Sequence, residues 1–246
     1  MYNQNQSPQP PSYYGQGYNT SVTNQVSAVM RKVYVRMFIG LLISAFCALG
    51  VASSPAMIHL IYGNSFVYWG MFIAMLAMAF IIPARLTKMS TTAVILCFCL
   101  FAALMGASLG SIFLVYSIGT ITSTFFITAG VFGAMSIYGY FTKANLAKIG
   151  TYCIMALFGL IIASLVNIFL KSSGLEWVIS IVGVLLFVGL TAWDTQYVKR
   201  MAEANLEPSM TDKLATMGAM NLYLDFINLF LFLLRIFGGG RDSERV

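Results

Sequence analysis

Residues 217–237 read MGAMNLYLDFINLFLFLLRIF. The run is long enough to cross a hydrocarbon core about 30 Å thick, which takes about 20 apolar residues in a helix. Gly218, Asn221, Asp225, Asn228, Phe232 and Arg235 lie within it, spaced 3, 4, 3, 4 and 3 apart. On a helix that spacing gathers them onto one narrow stripe. Four of these residues are polar or charged. A carboxylate at the centre of a bilayer costs roughly 2.5–3.5 kcal/mol by insertion scales, so such a stripe is not expected to face lipid. The last helix should therefore be central, with the others around it. The stripe then serves as a seam of interhelical hydrogen bonds or as an aqueous path.

A second aspartate, Asp194, lies within VLLFVGLTAWDTQYVKR at 184–200. The other six acidic residues (Glu176, Glu203, Glu207, Asp212, Asp242, Glu244) fall in expected loops or ends. Asp194 is expected near one end of its helix. Asp225 is expected about two turns into the last helix from the same side. A polar link, MAEANLEPSMTDKLATMG, joins the two segments. Two buried carboxylates in contact cannot both ionise cheaply, so the pair titrates as a unit. Asp194 and Asp225 are thus a candidate pH sensor and gate. Arg85 follows Pro83 at the same end of the second helix. It either reaches that layer and competes for a carboxylate or serves as an orientation anchor.

Composition places the rest of the chain in the same setting. Of 246 residues, 59% are hydrophobic and 9% are charged, with mean hydropathy +0.82. A soluble domain carries about 25% charge. The chain reads as an all-α integral membrane protein. Apolar stretches run near 34–54, 62–82, 92–115, 118–140, 150–170, 177–197 and 217–237, giving seven expected transmembrane helices. Residues 1–30 are rich in Asn, Gln, Pro, Ser and Tyr and are expected as a disordered tail. The helical domain is expected over 31–238, and 239–246 as a short C-terminal tail.

The net charge of +6 is concentrated in short links, which sets orientation and does not suggest nucleic-acid binding. Arg31, Lys32 and Arg36 open the first helix. Arg85 and Lys88 lie in the second link, Lys143 and Lys148 in the fourth, and Lys199, Arg200 and Lys213 in the sixth. The N-terminus is therefore expected in the cytoplasm. Arg241 and Arg245 in the C-terminal tail argue for a re-entrant last helix, but seven spans is the reading adopted. Ala102, Gly106 and Gly110, and likewise Gly130 and Gly133, are expected at close helix contacts.

No enzyme class finds its residues. Phosphate loops, G-x-S-x-G and H-E-x-x-H are absent. An intramembrane aspartyl protease also needs two membrane aspartates, but its G-x-G-D motif is replaced by Leu222-Tyr223-Leu224-Asp225 and its P-A-L motif is missing. His59 is expected exposed in the first outer link. Cys47, Cys97, Cys99 and Cys153 lie in apolar segments and are expected as buried thiols. No tight metal site and no cofactor is expected. Asp194 and Asp225 supply two carboxylates for a transient cation, against the 6–8 oxygens of a tight calcium site.

Four segments resemble the Bax inhibitor family of membrane proteins, in particular its bacterial branch. They are GLTAWDTQ at 189–196, LYLDFINLFLFLLRIFG at 222–238, VYVRMFIGLLISA at 33–45 and FGAMSIYGYFTK at 132–143. The resemblance covers about 30–237. It implies two three-helix layers around a central C-terminal helix. It also implies a pH-sensitive calcium leak with paired aspartates on the last two helices, where Asp194 and Asp225 stand. The family's latch arginine on the second helix has Arg85 as its nearest match. The expected partners are calcium or another cation and the lipid of a bacterial inner membrane. The alternative is a non-transporting regulator of a membrane-bound ATP-dependent protease.

Overall fold

A computed structural model gives the structure of residues 13–204 and 207–239, with side chains described from residue 23 onward. Among these residues the chain forms α1 (Tyr13–Ala52), α2 (Pro55–Tyr62), α3 (Ser65–Ala84), α4 (Thr91–Leu109), α5 (Ile112–Val115), α6 (Ile118–Phe141), α7 (Ala147–Leu170), α8 (Ser173–Glu203) and α9 (Pro208–Gly238). Seven segments are long and apolar enough to cross a membrane: Thr23–Ala52, Ser65–Ala84, Thr91–Val115, Ile118–Phe141, Ala147–Leu170, Ser173–Glu203 and Pro208–Gly238. Ser54, Asn64, Ser90, Ser117 and Ser172 start α2, α3, α4, α6 and α8 by accepting a backbone N–H that the first helical turn leaves unpaired. His59 is exposed on the short α2. The four cysteines are half-buried free thiols.

The helices form two groups of three with α9 between them. Helix α4 packs on α1 and α3, and α8 packs on α6 and α7, while α9 touches α1, α4, α6 and α8. In its most apolar stretch α9 is 67% buried, against 6% for the peripheral α7. The last helix is therefore the core of the bundle, as its polar residues require. Phe38, Phe80, Phe126, Phe158 and Phe169 project from the outer helices, the apolar surface that a bilayer covers.

Small residues set the closest contacts. A Cβ on Gly106 would overlap the Ser44 carbonyl oxygen, and one on Gly139 would overlap that of Ala192. Thus α4 meets α1, and α6 meets α8, backbone against backbone. Ala102 is fully buried in the same α1–α4 contact. The expected contacts at Gly130 and Gly133 do not form, because nothing lies within 4 Å of a Cβ at either position. Beside the first contact, Tyr223 of α9 is fully buried, with its hydroxyl 2.6 Å from that of Ser44. Ser44 donates to the Ala102 carbonyl at 2.7 Å, so Tyr223 supplies the proton of the other bond.

Two boundaries differ from the sequence expectation. Helix α1 runs back to Tyr13, and Val26, Val29 and Met30 are buried, so this part of the expected tail belongs to the bundle. The reason is an apolar stripe, Val26, Met30, Val33 and Met37, that continues with helical spacing across residue 30. Residues 1–12 of the expected N-terminal tail and 240–246 of the C-terminal tail lie outside the described residues. The long polar link before the last helix is also mostly helical. α8 continues to Glu203 and α9 begins at Pro208. Asp225 is then 17 residues into α9, about 25 Å along its axis instead of two turns.

Candidate functional site

Asp194 of α8 and Asp225 of α9 meet at the centre of the bundle. They are 6% and 4% exposed, and their carboxyl groups are hydrogen-bonded to each other. The side chain of Asn221, one turn before Asp225, lies beside Asp194. An ionised carboxylate only accepts, so a bond between two carboxyls contains a proton. One oxygen of each, Asp194 Oδ1 and Asp225 Oδ2, is buried with no donor from any residue outside the pair. Among the described residues, the ion pairs involve Asp212 and neither of these two aspartates.

The residues around Asp194 hold α8 in register with its neighbours. Ala192 lies against Gly139 of α6, and the Trp193 ring lies against Gly150 of α7. Gln196 accepts from the Leu146 N–H at 2.9 Å and donates to the Ala144 carbonyl at 2.8 Å. That ties α8 to the link between α6 and α7. Lys199 adds a bond to the Tyr140 carbonyl at 2.8 Å. The sequence AWDTQ thus orients Asp194 on three sides, while Gly218 lets α9 approach, a Cβ there meeting Val198 at 2.6 Å.

The stripe of α9 divides. Gly218, Asp225 and Phe232 face α8, with the Phe232 and Phe187 rings stacked at 5.9 Å. Asn228 and Arg235 are rotated from Asp225 by roughly 60–80° and sit at the edge of the bundle. Asn228 is half-buried and donates to the Leu224 carbonyl of its own helix at 2.8 Å. Arg235 is exposed, its guanidinium 5.6 Å from the Phe232 ring. Of the expected seam, only Asn221 joins the aspartates.

Arg85 does not join them. It ends α3, is exposed, and lies on a helix that packs against α4 and α2. The arginine that binds the last helix is Arg36 of α1. It donates to the Asp212 carbonyl at 2.6 Å and to the Thr216 hydroxyl at 2.8 Å, with the Asp212 carboxylate at 3.5 Å. Lys32 reaches the same carboxylate at 2.8 Å. The signal was a pair of four-residue spacings, Lys32 with Arg36 and Asp212 with Thr216. The sequence reading used the first pair for orientation and left Asp212 in a link. Arg36→Ala is expected to destabilise the fold by about 1.5–3 kcal/mol, the range for hydrogen bonds from a charged donor. Lys32→Ala, at a half-exposed position, should cost about 0–1 kcal/mol. Thermal unfolding in detergent ranks the two.

The sequence reading also missed a set of buried hydroxyls. Thr124, Thr128 and Ser136 of α6 and Thr191 and Thr195 of α8 are at most 5% exposed. Thr128 and Thr191 donate to the carbonyls of Thr124 and Phe187, each at 2.7 Å. The hydroxyls of Thr124, Ser136 and Thr195 have no partner. A four-residue spacing on α6 was their trace in the sequence.

The family model described as inhibitor of apoptosis-promoting Bax1 matches residues 26–242. The inner membrane protein YbhL of Escherichia coli K12 is 48% identical over 214 residues, covering 86% of this chain and 92% of YbhL. An uncharacterized protein of Borreliella burgdorferi is 44% identical over 215 residues, with 87% and 93% covered. The uncharacterized protein RP147 of Rickettsia prowazekii is 43% identical over 213 residues, with 87% and 90% covered.

Proposed function

The chain belongs to the Bax inhibitor family, and from that footing we propose that it is a pH-sensitive leak for calcium or a related cation, gated by Asp194 and Asp225. The observation that carries this reading is the hydrogen-bonded carboxyl pair, buried without a cationic partner among the described residues. With a proton between them, the aspartates hold α8 and α9 together. Without it, two negative charges face each other in a low-dielectric site, where repulsion is strong. Separation, hydration or a cation relieves that repulsion. Two carboxylates are too few for a tight calcium site, and weak, transient binding suits permeation. The role is that of a conduit without catalytic chemistry.

Purified protein in liposomes loaded with a calcium-sensitive dye tests the reading. Calcium flux that rises from mildly acidic to mildly alkaline buffer is the expected result. Folded protein that passes no calcium at any pH overturns it and leaves the protease-regulator role as the alternative.

The proposed location is an inner membrane, by similarity to the inner membrane protein YbhL. The links marked by Arg85 and Lys88, by Lys143 and Lys148, and by Lys199, Arg200 and Lys213 are proposed to face the cytoplasm together with the N-terminus. Reporter fusions at the N-terminus and in 204–207 should both read cytoplasmic. A fusion after Arg245 should read on the opposite side, since α9 runs unbroken from Pro208 to Gly238. A non-cytoplasmic reading at 204–207 would reverse the assignment.

A further inference from the structure

Three helices meet at the aspartate pair. α8 and α9 are joined there by the carboxyls. α6 packs on α8 through Gly139 and Ala192, and on α9 through Phe132 and Phe226, whose rings are 5.5 Å apart. Thr128, Phe132 and Ser136 follow one another at four-residue intervals, so their side chains share the face of α6 that touches α9. Thr124 continues the series. From Thr124 to Ser136 the series spans 12 residues, about 18 Å of helix axis. On α8, Thr191 and Thr195 flank Asp194 in sequence and are both fully buried.

Among the described residues, Thr124 Oγ1, Ser136 Oγ and Thr195 Oγ1 are buried without a hydrogen bond, and Asp194 Oδ1 and Asp225 Oδ2 are buried with no donor beyond the carboxyl pair itself. All five belong to α6, α8 and α9. Native structures rarely leave buried polar atoms unpaired, because each forfeits its hydration. A valine could fill the space of either threonine without that cost. The retained oxygens are free to meet a ligand that the bundle itself does not supply.

We propose that the α6–α8–α9 junction is the route by which a cation crosses. In it the hydroxyls of Thr124, Thr128, Ser136, Thr191 and Thr195 replace part of the cation's hydration on either side of the carboxyl pair. The proposal rests on the leak reading and deepens it by naming the path. The ligand class is a partly dehydrated hard cation, which takes neutral and anionic oxygens alike. The polar stripe of α9 is not that path, since Asn228 and Arg235 sit at the bundle's edge. In the conformation described, the hydroxyls are closed to solvent, so the route opens only when α8 and α9 part.

The test combines flux with accessibility. Thr124→Val, Ser136→Ala and Thr195→Val, made singly and together, are compared with Thr151→Val, which removes an exposed hydroxyl on α7. Calcium flux in liposomes should fall by roughly tenfold in the triple variant, as for the loss of about one ligand from the crossing state. Unfolding temperatures should stay at the wild-type value or rise, because unpartnered polar atoms have been removed. Thr151→Val should leave both unchanged. In parallel, cysteines placed at 124 and 136 should react with a small water-soluble thiol reagent in mildly alkaline buffer. Undiminished flux in a well-folded triple variant overturns the route. If the wild type passes no calcium, the leak reading falls by itself. The labelling then decides the junction, with reactive cysteines supporting a hydrated path and unreactive ones overturning it.

Discussion

Asp194→Asn and Asp225→Asn are each expected to flatten the pH dependence of calcium flux, and the double variant to add little to either. The sign follows from the bond between the carboxyls. The joined state holds a proton that the separated state gives up, so raising the pH shifts the balance toward separation and flux. An asparagine keeps the size and can still hydrogen-bond to the remaining aspartate, but the shared proton is gone. Two groups that titrate as a unit lose their behaviour at the first substitution. The coupling between them should be on the order of 1–3 kcal/mol, as for residues in one hydrogen-bonded network. Flux through liposomes measured across a pH series for all four proteins checks this. A wild-type profile in the double variant would remove the pair from the gate. Arg85→Ala serves as a comparison. Its exposed position apart from the pair predicts an unchanged profile, whereas a latch would shift it.

The second large effect concerns packing. Gly106→Val and Gly139→Val should each destabilise the protein by about 3 kcal/mol, at the upper end for overpacked sites. The atoms in the way are backbone carbonyls of Ser44 and Ala192, which cannot rotate aside as a side chain can. Whole helices must move instead. Gly130→Ala and Gly133→Ala meet nothing within 4 Å and should be neutral or slightly stabilising, since alanine favours a helix over glycine by about 1 kcal/mol. Thermal unfolding in detergent distinguishes the two sets. Equal melting temperatures would mean that the helix contacts lie elsewhere.

Apolar length made the seven crossings legible, and the cost of placing Asp225 in hydrocarbon made the central position of the last helix legible. Both follow from transfer free energy, which is local to a segment. What needed the folded chain was rotation and partnership. The stripe through Asn228 and Arg235 is continuous on a helical wheel, yet α8 occupies only the side bearing Gly218, Asp225 and Phe232. Which side a neighbour takes is decided by the neighbour. The same holds for the arginines. Arg85 and Arg36 are equivalent as orientation signals, but only Arg36 lies on a helix that packs directly against α9. Threonines were overlooked because a hydroxyl in a helix can bond to a carbonyl one turn back and so appears satisfied. Thr128 and Thr191 do so, while Thr124 and Thr195 do not.

The burial of α9 has a consequence for how the protein is made. A ribosome delivers the chain from its N-terminus, so the helix at the heart of the bundle is the last to appear. Until Pro208–Gly238 has emerged, six helices wait in the membrane around an unfilled core. During that interval Asp194, Thr191 and Thr195 have no α9 to cover them, and Arg36 has no Asp212. The two groups of three touch each other chiefly through α1 and α8, so the final helix is also what joins them. Assembly is therefore completed in one late step. Chains cut short before Pro208 should be recognised by membrane quality control and degraded, however well their first six helices insert.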